Sequence, residues 1–317
     1  MSASARRSTA RRACLWVLPA LLSVAGCGGD GGGEVAMQIQ PQAEQFYDQP
    51  YPFDGRRDDD GTVAPRGFPN PLTNGLVAQV AALAQEQRGF SLTPVVSFVF
   101  DGPLDAAALP RADDPQRDLI DRQLAAGQPP LFLVNVDPDS PAFGRRHPVV
   151  ARFSPAAGRY LPANTLMLAP WPGVTLRANT RYAAVVLRGF GDAAGRKLRQ
   201  APLLADALAG RSGHDVLDAH YARLAANLRE VGLDPGNLAA ATVFTTADPV
   251  GDLAALVGRV LDGWQAELAS PFIRTELHPD YCVLRGALRL PQFQAGTPPF
   301  SGAGGRWRFA ADGTPQT

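Results

Sequence analysis

Leu176-Arg177-Ala178-Asn179-Thr180-Arg181-Tyr182 runs into the apolar stretch 183–187, and then into Gly189, Gly191, Asp192, Ala193-Ala194-Gly195 and Leu198. This stretch decides the fold. The glycines supply positive φ where the chain reverses tightly, and Asp192 has a side chain able to bond its own turn backbone. A strand bracketed by turns, with a further strand at Leu198, reads as a β-hairpin and not as part of a helix.

Working outward, short strands recur. Pro94 opens the buried-strand pattern 95–100, which Asp101-Gly102-Pro103 closes. Further strands are read at 131–136, 149–153, 165–168 and 281–290. The connection 137–147 has acids at one end and Arg145, Arg146 and His147 at the other, as a charged hairpin tip would. Helical spacing is confined to a few segments. Leu76, Val77, Val80 and Leu83 follow Thr73-Asn74 and stop at Gly89, and a second helix runs from Asp114-Pro115 to Gly127. Ser212, with Asp215 three residues on, opens a stripe of Leu217, Tyr221, Leu224, Leu228 and Val231 that Gly232 ends. After a strand at 241–246, Asp248-Pro249 caps a helix carrying Leu253, Leu256, Val257, Val260, Leu261 and Trp264. The fold class is therefore mainly β with helical insertions, an α+β chain.

Composition agrees. Apolar residues are 45% and charged residues 19%, an ordinary globular balance, and 32 glycines with 29 prolines favour many turns over a helix bundle. Thirty basic and thirty acidic side chains set up no field for a phosphate backbone, which argues against nucleic acid as a partner. That neutrality is uneven. Residues 1–26 hold Arg6, Arg7, Arg11 and Arg12 and no acid, followed by a short apolar run. This is the pattern of a secretory signal, too short for a stable membrane anchor. Without it the remaining chain is mildly acidic.

The signal ends in Val24-Ala25-Gly26-Cys27, which resembles the lipobox of bacterial lipoproteins. The resemblance implies cleavage before Cys27 and attachment of lipid to its thiol; the plainer alternative is a signal without lipid. Gly28 behind the cysteine implies outer-membrane sorting in a double-membraned host. Residues 28–33 are glycine with one Asp30, a flexible spacer. Cys14 leaves with the signal, so Cys282 stands without an intramolecular disulfide partner. From 34 to 74 the chain is polar and rich in proline, a linker passing into irregular structure. Asp54, Asp58, Asp59, Asp60 and Gly61 suggest a calcium loop, but Arg56 and Gly67 stand where an EF-hand needs Asp and Glu, so a solvated turn is the better reading.

The Thr-x-Tyr hairpin with its Asp-x-x-Gly turn is similar to the closing hairpin of bacterial Ig-like domains. Together with Gly89-Phe90-Ser91, the strand ending Phe100-Asp101-Gly102-Pro103-Leu104-Asp105, and Val136-Asp137-Pro138-Asp139-Ser140-Pro141, it resembles the N-terminal domain of the bacterial virulence-factor lipase group. The similarity covers roughly residues 66–300 and is strongest in 89–105, 131–142 and 174–198. It implies an Ig-like β-sandwich followed by an α/β-hydrolase domain that carries the catalysis. The layout expected is a signal peptide at 1–26, lipidated Cys27 and linker to 66, the sandwich with inserted helices at 67–209, an α-β-α segment packed on it at 210–269, and strands at 270–317 leading toward a C-terminal domain.

Within these residues no catalytic machinery is legible. A hydrolase elbow needs Gly-x-Ser-x-Gly, and Ser91, Ser212 and Ser301 all lack it. Cys282 lies in a strand pattern and reads as buried packing. His214 and His220 are six apart on a helix, where zinc sites want four, and His147 and His278 stand beside prolines in loops. No cofactor motif follows any strand. The turn at Asp312-Gly313 has no evident returning strand, so the chain reads as the front part of a longer one. The function expected is that of a lipid-anchored envelope protein whose domain supports a downstream hydrolase domain. The alternatives are an esterase with its catalytic residues outside this chain, and an independent surface binding module.

The anchor reading predicts that cells expressing the full chain incorporate labelled palmitate into it, and that Cys27→Ala abolishes the label. Label persisting in that variant contradicts it.

Overall fold

A computed structural model describes residues 35–111, 129–300 and 304–317. The lipobox residues Val24, Ala25, Gly26 and Cys27, and the helix expected from Asp114 to Gly127, lie outside them. The described residues form a mixed α+β fold with four helices, three small antiparallel sheets and no closed barrel.

The central element is β6 (Arg181–Leu187), which pairs with β2 (Leu131–Asn135) on one edge and β7 (Leu238–Thr245) on the other. A two-residue strand β3 (Arg146–His147) adds to β2, giving the order β3-β2-β6-β7. Across the same core lies a sheet of order β1-β5-β4, formed by β1 (Val96–Val99), β4 (Val149–Ser154) and β5 (Thr165–Pro170). β2, β6 and β7 are buried over nearly their whole lengths. Strands read this way as continuous apolar runs because both faces are covered. Leu166 and Leu168 of the smaller sheet join the same core, as do Leu204 of helix α2 (Pro202–Leu208) and Leu217, Tyr221, Leu224 and Leu228 of α3 (Asp215–Glu230). Tyr221 fixes α3 to the larger sheet by donating its hydroxyl to the Ala241 carbonyl at 3.0 Å. Complete burial pushes its phenol pKa far above the ordinary value.

The deciding hairpin is held at its corner. The Tyr182 side chain is fully buried, and its hydroxyl accepts the Arg177 backbone N–H at 3.0 Å. Asn179, with φ 47°, turns the chain between them. Beyond β6, Asp192 accepts from the N–H groups of Ala194 and Arg196 and from the Arg196 guanidinium, all at 2.9 Å. The Arg196 N–H leads among the interactions that hold its carboxyl below the usual range. The strand expected at Leu198 shrinks to a single parallel bridge, Arg199 to Ala36.

The proline-rich stretch after residue 34 is irregular, yet it is built into the core. Val35, Met37, Ile39, Phe53 and Val63 are buried, and Gln38 and Tyr51 bond the backbone of β1. Thr242 of β7 donates its hydroxyl to Pro52 O at 2.6 Å. The aspartates at 54–60 divide. Asp54 is buried and accepts the Thr245 N–H and hydroxyl, while the rest close a turn at Gly61. His147 sits in β3 and not in a loop. Helix α3 starts from His214 without a side-chain cap, and it is Asp218, in place of Asp215, that accepts from Ser212 N, Ser212 Oγ and Gly213 N. Within the strands expected at 270–317, β8 (Glu267–Leu277), whose single proline, charges and apolar residues follow no alternation, pairs with β9 (Cys282–Arg289) as a third sheet.

Tyr182→Phe removes the acceptor of the Arg177 N–H while keeping the ring. The expected loss is about 1 kcal/mol, read from urea denaturation midpoints, with the native circular dichroism unchanged.

Candidate functional site

No described residue after Thr246 is buried. Helix α4 (Pro249–Gly263) is well built: Asp248 caps it by accepting the Gly251 N–H at 2.9 Å, and Pro249 sits in its first turn. Yet its stripe of Val250, Leu253, Val257 and Leu261 faces solvent, with Val250 72% exposed. Helix α1 (Gly75–Ala84) behaves likewise. Asn74 accepts the Leu76 N–H as its cap, and Leu76, Val80 and Leu83 are exposed.

The β8–β9 hairpin extends this surface. Leu268 pairs with Leu288 and Arg274 with Leu284, and the Phe272 ring lies over Gly286, where an added Cβ would come within 3.0 Å of it. Cross-strand contacts of this kind fix the register. Phe272, Ile273, Leu277, Leu284, Leu288 and Leu290 are all more than half exposed, and among the described residues neither outer edge is paired. A two-stranded ribbon is marginal by itself, and a long apolar edge is a template for further pairing. Cys282 begins β9 as the strand reading requires, but it is exposed, and no residue of β8 or β9 is buried by the described residues. The tail folds back more fully than its sequence suggests. Gln294 pairs with Trp307 and Phe309 with Pro315, so the Asp312-Gly313 turn does have a returning segment. Phe293, Trp307 and Phe309 stack with centroids 5.3 and 6.3 Å apart.

Clefts are present but carry little chemistry. One of about 550 Å³ lies between α4 and the tail, lined by Arg259, Val260, Trp264, Pro291 and Phe293. Another of about 710 Å³ lies on the outer face of β1-β5-β4, floored by Val95, Ala151, Phe153 and Met167 with Arg152 on its lining. A third of about 540 Å³ sits between Tyr51, Phe90, Ala84 and Pro249. None of the three is lined by a carboxylate, imidazole or thiol.

The histidines are dispersed. His147 is buried with Nε2 unpartnered, its ring edge-on to Tyr182 at 5.7 Å; burial, with Arg145 nearby, lowers its pKa. His278 stacks on Tyr281 at 4.4 Å beside Glu276. Among the described residues no three of His, Cys, Asp and Glu gather as metal ligands. One polar cluster escaped the sequence reading. Asp54, 3% exposed, lies 3.6 Å from Arg181 and 3.8 Å from Arg57, and its charge reaches His220. Its members come from the N-terminal segment, β6 and α3, so no local spacing announces it.

No family model matches the chain, and no curated protein does. A solved structure titled surface layer protein SbsC, domains 1–6, aligns over 70% of this chain and 22% of that one, with 12% identity and a TM-score of 0.22. The chain thus spans about a fifth of that structure. No described helix is long and apolar enough to cross a membrane.

Since the described residues bury no part of the α4 stripe, Leu253→Glu with Leu261→Glu is expected to shift the melting temperature by no more than about 2 °C. The same pair should markedly reduce fluorescence of a bound apolar dye. A large loss of stability would show that the stripe is covered within the chain.

Proposed function

We propose that the chain is the anchored N-terminal part of a lipase-like envelope lipoprotein, a non-catalytic Ig-like β-sandwich that positions and supports a partner domain. The observation that carries this reading is the uncovered apolar surface of α4 and the β8–β9 hairpin. Soluble monomers rarely expose contiguous apolar patches beyond a few hundred Å², and larger ones mark interaction surfaces. The hairpin has apolar residues in succession, as at Phe272-Ile273, and so suits a sheet covered on both faces. Such a sheet is what a hydrolase domain would contribute.

The finer fold assignment has its own support. Two antiparallel sheets share one core, and the Tyr182 hydroxyl returns to a backbone N–H five residues upstream, the corner typical of Ig-like sandwiches. The α-β-α segment is a looser unit than its name suggests, since β7 is a full member of the larger sheet while α4 buries none of its residues. Anchoring rests on the lipobox at 24–27: more than one acyl chain holds a protein to a membrane without a spanning helix, and outer-membrane placement follows from Gly28.

The competing reading is an esterase whose catalytic residues lie outside this chain. Assaying this chain with a short-chain nitrophenyl ester separates the two. Turnover is expected to equal the buffer rate, and turnover abolished by a serine-directed inhibitor would overturn the non-catalytic assignment.

A further inference from the structure

We infer that helix α1, with Phe68 and Leu72 leading into it, lies in the surface layer of a lipid bilayer. From Gly67 to Gln85 the sequence holds no Asp, Glu, Lys, Arg or His, in a chain that is 19% charged. Phe68, Leu72, Leu76, Val80 and Leu83 are all exposed, from 41% to 67%. Along α1 itself, Leu76, Val80 and Leu83 share a side at i, i+4 and i+7. Val77, Ala81 and Ala84 keep the same spacing on another side, and they alone in this helix are partly covered. Of its exposed residues, Gln79 is the only polar one.

The backbone around α1 suits a place with little water, where N–H and C=O groups need partners within the segment. In the turn before the helix, the Asn74 N–H donates to Asn70 Oδ1 at 2.8 Å, and the Asn70 amide donates back to the Asn74 carbonyl at 3.0 Å. The Thr73 hydroxyl donates to the Leu72 carbonyl at 2.7 Å. At the other end, the N–H groups of Gln85, Glu86 and Gln87 donate to the carbonyls of Ala81, Leu83 and Ala84. Ten residues make about 15 Å of helix against a hydrocarbon core of about 30 Å, so α1 can enter one face of a bilayer and not cross it.

Two observations favour lipid over protein as the occupant. A protein partner is met by an apolar centre with a polar rim, and this stretch has no charge with which to form one. The second is the chain that precedes the described residues. Val35 is packed into the core only eight residues beyond Cys27. A lipid on that thiol, the anchoring proposed above on which this inference rests, keeps the body beside a bilayer. Attraction through α1 is then apolar, and depends neither on salt nor on head-group charge.

The test uses the mature chain from residue 27 with Cys27→Ala, so that neither the signal's apolar run nor an acyl chain contributes. It is floated with phosphatidylcholine vesicles at low and at high salt, and is expected to rise to the same extent in both. Leu76→Gln with Val80→Gln and Leu83→Gln is expected to lower partitioning at least tenfold. Circular dichroism and melting temperature stay as in the parent, since no side chain of α1 is buried. Leu253→Gln with Leu261→Gln, on the equally exposed α4, floats as the parent does. A parent that stays behind, or floats only with phosphatidylglycerol at low salt, overturns the inference. Flotation that persists in the α1 variant, or is lost as fully in the α4 one, does the same. So does α1-dependent dimerisation without vesicle binding in sedimentation velocity, which would assign the face to a second copy. Palmitate labelling of the wild-type chain reports on the anchor separately: a labelled chain whose unlipidated form does not float keeps the anchor and loses the role of α1.

Discussion

A strand buried on both faces has no water to satisfy its backbone, so every N–H and C=O along it must find a partner in the protein. β6 is under that constraint, and much of the fold follows from it. One edge is paired by β2 and the other by β7, although β7 arrives only after two helices have intervened. Covering the strand's two faces then calls for a layer on each side, supplied by β1-β5-β4 and by α2 with α3. The N-terminal segment closes the arrangement by bonding β1 at one point and β7 at another, through Tyr51 to Ser97 and Thr242 to Pro52. Contacts some 190 residues apart in sequence thereby tie the first packed residues to the last buried strand.

Where the sequence was legible, local chemistry and burial agreed. The 183–187 run became a strand because its turns and its apolar continuity point the same way, and the Leu217–Leu228 stripe became the buried face of α3. Glycine at 232, with φ 75°, ends that helix as its position suggests. Illegible parts were those decided at a distance. Residues 35–66 look like a linker because they lack periodicity, but irregular backbone can still place Phe53 and Val63 in a core. Asp54 reads as one of several loop aspartates until Thr245 is brought to it from the far end of the chain. Periodicity also predicts an apolar face without predicting a cover: α4 and α3 have comparable stripes, and the described residues bury only that of α3.

The same contrast divides the molecule energetically. Burial of an apolar side chain contributes on the order of 1.5–3 kcal/mol, and that gain is concentrated before Thr246. The elements after it rest on backbone hydrogen bonds, caps and a few pairs such as Arg259 to the Gly313 carbonyl and Arg306 to Glu86. They hold their local shape while leaving their apolar residues available.

The packing of Val35 has a consequence for reach. It is the first described residue and it is buried, only eight residues beyond Cys27. A fully extended chain gains at most about 3.6 Å per residue, so the body can stand no farther than roughly 29 Å from that thiol. Were Cys27 to carry the proposed lipid, that distance would be a short leash, comparable in length to a small domain's own diameter, and a partner of the outer face would have to come to the membrane surface to meet it.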